Sequence, residues 1–189
     1  IIQPNSIYQL GSMRISPDGL NLVCSDSIAD LCYFNPSTGE VTSRFTFLQS
    51  FSGLPTPADG LEFSIDSKYL YTIKTNGNLP TNTPLWQFDV TSQDFTQFML
   101  SSTLVGVLSS GSISMGPDGR IYLSNPLISY YTLNRINNPS VSGSGCNYEM
   151  DALDLLGNNG SDCLPQFLQK YKAYIPFTGL CYQDSSSFS

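Results

Sequence analysis

Arg14-Ile15-Ser16-Pro17-Asp18-Gly19 decides how this chain is read, because the phrase returns. It comes back as Glu62-Phe63-Ser64-Ile65-Asp66-Ser67 and again as Ser114-Met115-Gly116-Pro117-Asp118-Gly119. Each copy runs into a stretch with strand character: Leu20-Asn21-Leu22-Val23-Cys24, Lys68-Tyr69-Leu70-Tyr71-Thr72-Ile73 and Arg120-Ile121-Tyr122-Leu123. The period is about fifty residues, the scale of propeller blades and solenoids. Within the phrase, proline presets φ at the second turn position. Aspartate bonds backbone N–H groups beyond it, and glycine accepts the exit conformation.

Working outward, Gly11–Ser16 and Leu20–Ser25 flank the first turn. Asp30–Asn35 follows, Pro36-Ser37-Thr38-Gly39 reverses the chain, and Glu40–Leu48 completes four strands, one propeller blade. A second blade is expected from Leu61–Ser64, Lys68–Thr75, the alternating run Leu85–Val90 and Asp94–Leu100, with Asn76–Pro84 as a polar loop. The third comprises Ser112–Met115, Arg120–Ser124 and Tyr130–Ile136, ended by Asn137-Asn138-Pro139. Tyr148–Leu155 reads equally as a last strand or a short helical turn, and Leu164–Tyr171 fits helical and extended spacing alike. The expected fold is all-β, a partial β-propeller of about three four-stranded blades belonging to a larger propeller. It occupies residues 1–176, and residues 177–189 open another unit. Three repeats do not close a ring, and repeats are stabilised by their neighbours. Further blades are therefore expected upstream or in another chain, and the first blade is expected to present an uncovered face.

Composition bounds the function. Only 12% of residues are charged and the net charge is -7, which argues against nucleic-acid binding, since phosphates call for clustered Lys and Arg. Histidine is absent. That excludes Ser-His-Asp and Cys-His catalysis and every His-ligated metal site in this chain. No apolar run is long enough to span a bilayer, so membrane insertion is not expected. The opening Ile1-Ile2-Gln3-Pro4 has neither an initiator Met nor signal-peptide character, and reads as the interior of a longer polypeptide.

Five cysteines without metal-ligand spacing point to an oxidising compartment. A three-residue loop at Ser27–Ala29 would set Cys24 and Cys32 opposite each other. There, a bridge and a pair of buried free thiols stay equally open. Cys146 and Cys163 bracket a Gly/Asn-rich loop and form the favoured disulfide; Cys181 is left over and implies a partner elsewhere.

The recurring Asp18, Asp66 and Asp118 invite a shared function, but a tight-turn role accounts for them. Trp86 could stack on a sugar, yet its alternation with Phe88 favours packing between blades. Asp151, Asp154, Asn158, Asn159 and Asp162 are an oxygen-rich, weak candidate for calcium without EF-hand spacing, and no cofactor is expected. Nothing places two carboxylates across a cleft as glycoside hydrolysis requires, so no catalytic residue is assigned.

Several phrases occur in a fixed order: Ile15-Ser16-Pro17-Asp18-Gly19, Gly60-Leu61-Glu62-Phe63-Ser64, Leu85-Trp86-Gln87-Phe88-Asp89 and Met115-Gly116-Pro117-Asp118-Gly119-Arg120-Ile121-Tyr122. Ile136-Asn137-Asn138-Pro139, Cys146-Asn147-Tyr148 and Leu164-Pro165-Gln166-Phe167 complete the set. Together they resemble the propeller region of large Bacteroidota cell-surface proteins, which continue into PKD-type immunoglobulin-like domains and a gliding-motility-type sorting domain. The resemblance covers nearly the whole chain. Its Pro-Asp-Gly turns are common to many propellers, whereas the ordered closing phrases are specific. The second repeat departs from the pattern, lacking both Pro and Gly in its turn.

The resemblance implies export by the type IX secretion system, an extracellular location at the outer cell surface, and a PKD-type domain opening at Phe177–Ser189. Asp26-Ser27-Ile28 resembles the Asp-Ser/Thr-apolar sites that Bacteroidota O-glycosylate, which makes Ser27 a candidate. The expected role is a non-catalytic module for adhesion, surface filament or scaffold assembly. Its partners would be other blades and domains of the same polypeptide, other surface proteins, or glycans. Two alternatives stand beside it: a propeller enzyme of lactonase or lyase type, and a glycan-binding module with Trp86 and tyrosines exposed on one face.

Overall fold

A computed structural model describes residues 12–25, 28–47, 58–74, 83–108, 111–125, 129–157 and 164. The first blade is an antiparallel sheet of β1 (Ser12–Ile15), β2 (Asn21–Ser25), β3 (Ala29–Asn35) and β4 (Glu40–Phe47), in that order. The second contains β5 (Ala58–Phe63), β6 (Tyr69–Lys74), β7 (Thr83–Asp89) and β8 (Thr103–Leu108), and the third β9 (Ile113–Met115), β10 (Ile121–Asn125), β11 (Ser129–Ile136) and β12 (Tyr148–Asp154). Strand β1 packs beside β5, and β5 beside β9. The first strand of each sheet is thus innermost, and the sheets stand side by side as propeller blades. The described residues form an all-β, partial β-propeller, open rather than closed. Inner strand β1 is partly exposed, with Met13 at 60%, while the side chains of β9 are buried.

The repeated phrase folds the same way three times. Gly19 N–H donates to Ser16 O at 2.8 Å, Ser67 N–H to Ser64 O at 2.9 Å and Gly119 N–H to Gly116 O at 3.1 Å. The last residue of each turn has positive φ: 74° at Gly19, 63° at Ser67 and 77° at Gly119. Glycine reaches this region without strain, whereas Ser67 occupies it as an L-residue with a side chain.

Side-chain alternation deals residues to two cores. Leu61, Phe63, Leu70 and Phe88 of the second blade join Val23, Leu31, Phe45 and Phe47 of the first. Tyr71, Ile73, Leu85 and Leu108 face the other way and meet Ile113, Met115, Ile121, Leu123 and Ile136 of the third. Period-two alternation on one sheet therefore serves both seams at once.

Two expectations need correction. Residues Asp94–Leu100 are not the fourth strand of blade two. Phe95–Leu100 is helix α1, capped by Asp94 Oδ1, which accepts from Gln97 N–H at 2.9 Å, and the fourth strand is β8. The Asp-x-x-Gln spacing is a helix-start signal, and Phe98 is the buried anchor, its ring 5.2 Å from Phe45 and Phe88 and 5.1 Å from Phe47. A second correction concerns Cys24 and Cys32, which are free thiols. The hairpin pairs Ser25 with Ala29, so Cys24 faces Asp30 and Cys32 faces Leu22. The two sulfurs sit on diagonal positions of one face, where the Cα separation exceeds disulfide reach.

Candidate functional site: polar clamps between the blades

Two residues before the turn, the repeats carry Arg14, Glu62 and Ser114. Equivalent places in successive blades bring these residues together along the innermost strands. The Glu62 side chain is 2% exposed. Its Oε1 accepts from Phe63 N–H at 3.0 Å, and its Oε2 accepts from Met115 N–H of β9 at 3.0 Å. Arg14 Nε of β1 lies 3.7 Å from the same Oε2, with the Arg14 side chain 22% exposed. One carboxylate thus ties blade two to both neighbours, and the arginine and N–H dipoles offset the cost of burying its charge.

A second clamp joins blades two and three. Gln87 Nε2 donates to Tyr71 Oη at 2.7 Å and to Val141 O at 2.8 Å, while its Oε1 accepts from Gly143 N–H at 2.7 Å. Tyr71 Oη donates onward to Pro139 O at 2.9 Å. The Asn137–Asn147 connection is therefore read by two buried side chains from the neighbouring blade. Burial, reinforced by nearby Cys146, drives the Tyr71 phenol far above its ordinary pKa. At the outer strands, the Tyr148 ring lies over Gly106, where an added Cβ would fall 2.5 Å from ring carbons. Asn134 Nδ2 donates to Tyr148 Oη at 2.9 Å, and burial pushes that phenol up to about 12.

A third link explains the odd turn. Asp18 N–H of the first turn donates to Ser67 Oγ of the second at 2.9 Å. Ser67 carries the strain of positive φ and contributes a hydroxyl that glycine lacks.

The residues singled out from sequence fall in several places. Asp18, Asp66 and Asp118 each support their own turn: their Oδ1 atoms accept from the N–H groups of Leu20 at 3.0 Å, Lys68 at 3.3 Å and Arg120 at 3.2 Å. Trp86 packs against the first core. Asp151 Oδ1 accepts from Thr132 Oγ1 at 2.5 Å, and Asp154 Oδ1 from Leu156 N–H at 2.8 Å. Asn158, Asn159 and Asp162 lie outside the described residues, as do Ser27 and residues 177–189. Among the described residues, no three His, Cys, Asp or Glu side chains gather as a cation site. Cys146 is a buried free thiol whose pKa is raised by burial, and its expected partner Cys163 lies outside the described residues. No described helix is long and apolar enough to cross a membrane.

The clamp residues Glu62, Tyr71, Gln87, Tyr148 and Ser67 escaped the sequence reading. One signal was present: opposite charges, Arg14 and Glu62, at the same place in consecutive repeats.

No family model and no curated protein matches this chain. Among solved structures it is similar to a protein from Lactobacillus plantarum, with 18% sequence identity and a TM-score of 0.47. That similarity covers 68% of this chain and 38% of the Lactobacillus protein, so the chain spans well under half of that protein's length.

Proposed function

We propose that the chain is a non-catalytic module of a large secreted surface protein, serving adhesion, surface filament or scaffold assembly. The observation that carries this reading is the Glu62 clamp: both oxygens of an inner-strand carboxylate accept main-chain N–H groups, and one of them also faces Arg14. Tyr71, Gln87, Ser67 and Tyr148 are engaged in the same manner, side chain of one blade to backbone of a neighbouring blade. Polar groups invested this way stiffen the array, and a rigid array that presents loops at its rim suits a binding scaffold. Type IX export, gliding-type surface organisation, a PKD-type unit from Phe177 and O-glycosylation at Ser27 belong to the same reading.

The test uses antibody raised to this chain on intact cells of the producing bacterium, with and without a working type IX secretion system. Labelling of intact wild-type cells, lost when secretion is inactivated, is the expected result. Labelling of wild-type cells only after permeabilisation overturns the proposal.

A further inference from the structure

We propose that the cleft between the rims of blades one and two binds a neutral saccharide. The cleft has a volume of about 400 Å³, within the range of small-ligand sites. Asp18 and Asn21 line it from the first hairpin, Tyr33 from β3, Arg44 from β4, and Asp66 and Lys68 from the second hairpin. Two successive copies of the repeated turn, joined by the Asp18 N–H to Ser67 Oγ bond, thus line one opening.

The lining has the chemistry of a polyhydroxylated ligand. Tyr33 is 39% exposed and contributes an aromatic surface. Its hydroxyl donates to Gln93 Oε1, and the Arg44 guanidinium carbon sits 4.9 Å from its ring centroid. Arg44 Nη1 donates to Asn21 Oδ1 at 3.1 Å and Nη2 to Ser92 O, whereas its buried Nε has no hydrogen-bond partner. No carboxylate lies within ion-pair distance of Arg44 among the described residues. Two acids and two bases line the cleft, so its formal charges cancel. A sugar hydroxyl both donates and accepts, and so satisfies carboxylates and cations in the same space. A polyanion would meet Asp18 and Asp66, and a purely apolar ligand would cover Arg44 and the Asp66–Lys68 ion pair, Nζ to Oδ2 3.6 Å, with no polar partner of its own. Trp86, the aromatic first considered for a sugar, is packed on the core, so the ring offered to a ligand is that of Tyr33.

The inference deepens the reading of the chain as a binding module, and its test on the purified protein is independent of where the chain resides. The purified full chain is applied to immobilised neutral oligosaccharides of glucose, galactose, mannose and N-acetylglucosamine, beside uronic and sialic acid glycans. Binding to at least one neutral glycan is expected. Tyr33→Ala should weaken it by about tenfold, with Tyr33→Phe within about threefold of the native chain because the ring is kept. Gln93 lines the cleft from an exposed segment and has an amide of its own for a sugar hydroxyl, so Gln93→Ala should also weaken binding and serves if Tyr33→Ala does not fold. No neutral glycan bound, a preference for the acidic glycans, or full binding by a folded Tyr33→Ala protein would each overturn the assignment.

Discussion

Glu62→Ala should be among the most damaging single changes to this array. The substitution removes the acceptor of Met115 N–H on blade three and of Phe63 N–H, and leaves Arg14 facing an emptied site. Breaking a buried pair from one side costs about 3–5 kcal/mol, because the remaining partner keeps its desolvation penalty. With a urea slope of about 2 kcal/mol/M, the midpoint should fall by roughly 1.5–2.5 M. Glu62→Gln keeps a carbonyl for Met115 N–H but not the charge, so its loss should be about half as large. The 3.7 Å separation and the partial exposure of Arg14 make the direct ionic part the smaller share. A double-mutant cycle with Arg14→Ala should therefore return a coupling of about 1–2 kcal/mol. The measurement is urea denaturation of all four proteins followed by far-ultraviolet circular dichroism. A loss below about 1 kcal/mol for Glu62→Ala, or a coupling within about 0.5 kcal/mol of zero, would refute the clamp.

Three further outcomes test the seams. Ser67→Ala should cost about 1 kcal/mol in thermal unfolding by stranding Asp18 N–H, and Ser67→Gly should cost less because glycine relieves the positive φ. Gly106→Ala drives a Cβ into the Tyr148 ring and should cost about 1–3 kcal/mol, with much of the loss recovered in Gly106→Ala/Tyr148→Leu. Alkaline stability should depend on Tyr148, whose phenol stays protonated in the fold up to about 12 while an unfolded tyrosine ionises near ~10. That contribution is present below pH ~10 and drains away as pH rises toward 12, because the unfolded chain releases its proton first. Tyr148→Phe should flatten part of this decline, and an unchanged profile in that variant counts against the assigned burial.

Legibility followed sequence distance. The turns at Ser16–Gly19 and Gly116–Gly119 were readable because φ preferences and aspartate-to-backbone bonds act over two or three residues. Strands β2, β3, β6 and β10 were readable for a similar reason, as apolar runs between turn residues. Residues 95–100 were misread because Phe95, Thr96 and Phe98 favour strands, while the Asp94–Gln97 cap and the Phe98 anchor point to helix. The Cys24–Cys32 pairing failed on register: moving the hairpin by one residue at the tip changes every cross-strand partner by two.

From its residues alone, the chain determines a blade-forming unit repeated three times, since hairpin turns and period-two alternation are neighbour-to-neighbour properties. Tertiary structure decided which polar groups join the blades. Glu62 meets Arg14 and Met115, and Gln87 meets Val141 and Gly143, across separations of about fifty residues that no local preference encodes. A buried carboxylate or amide takes its partners from whatever backbone the stacking of blades brings within reach, and that is fixed when the blades pack.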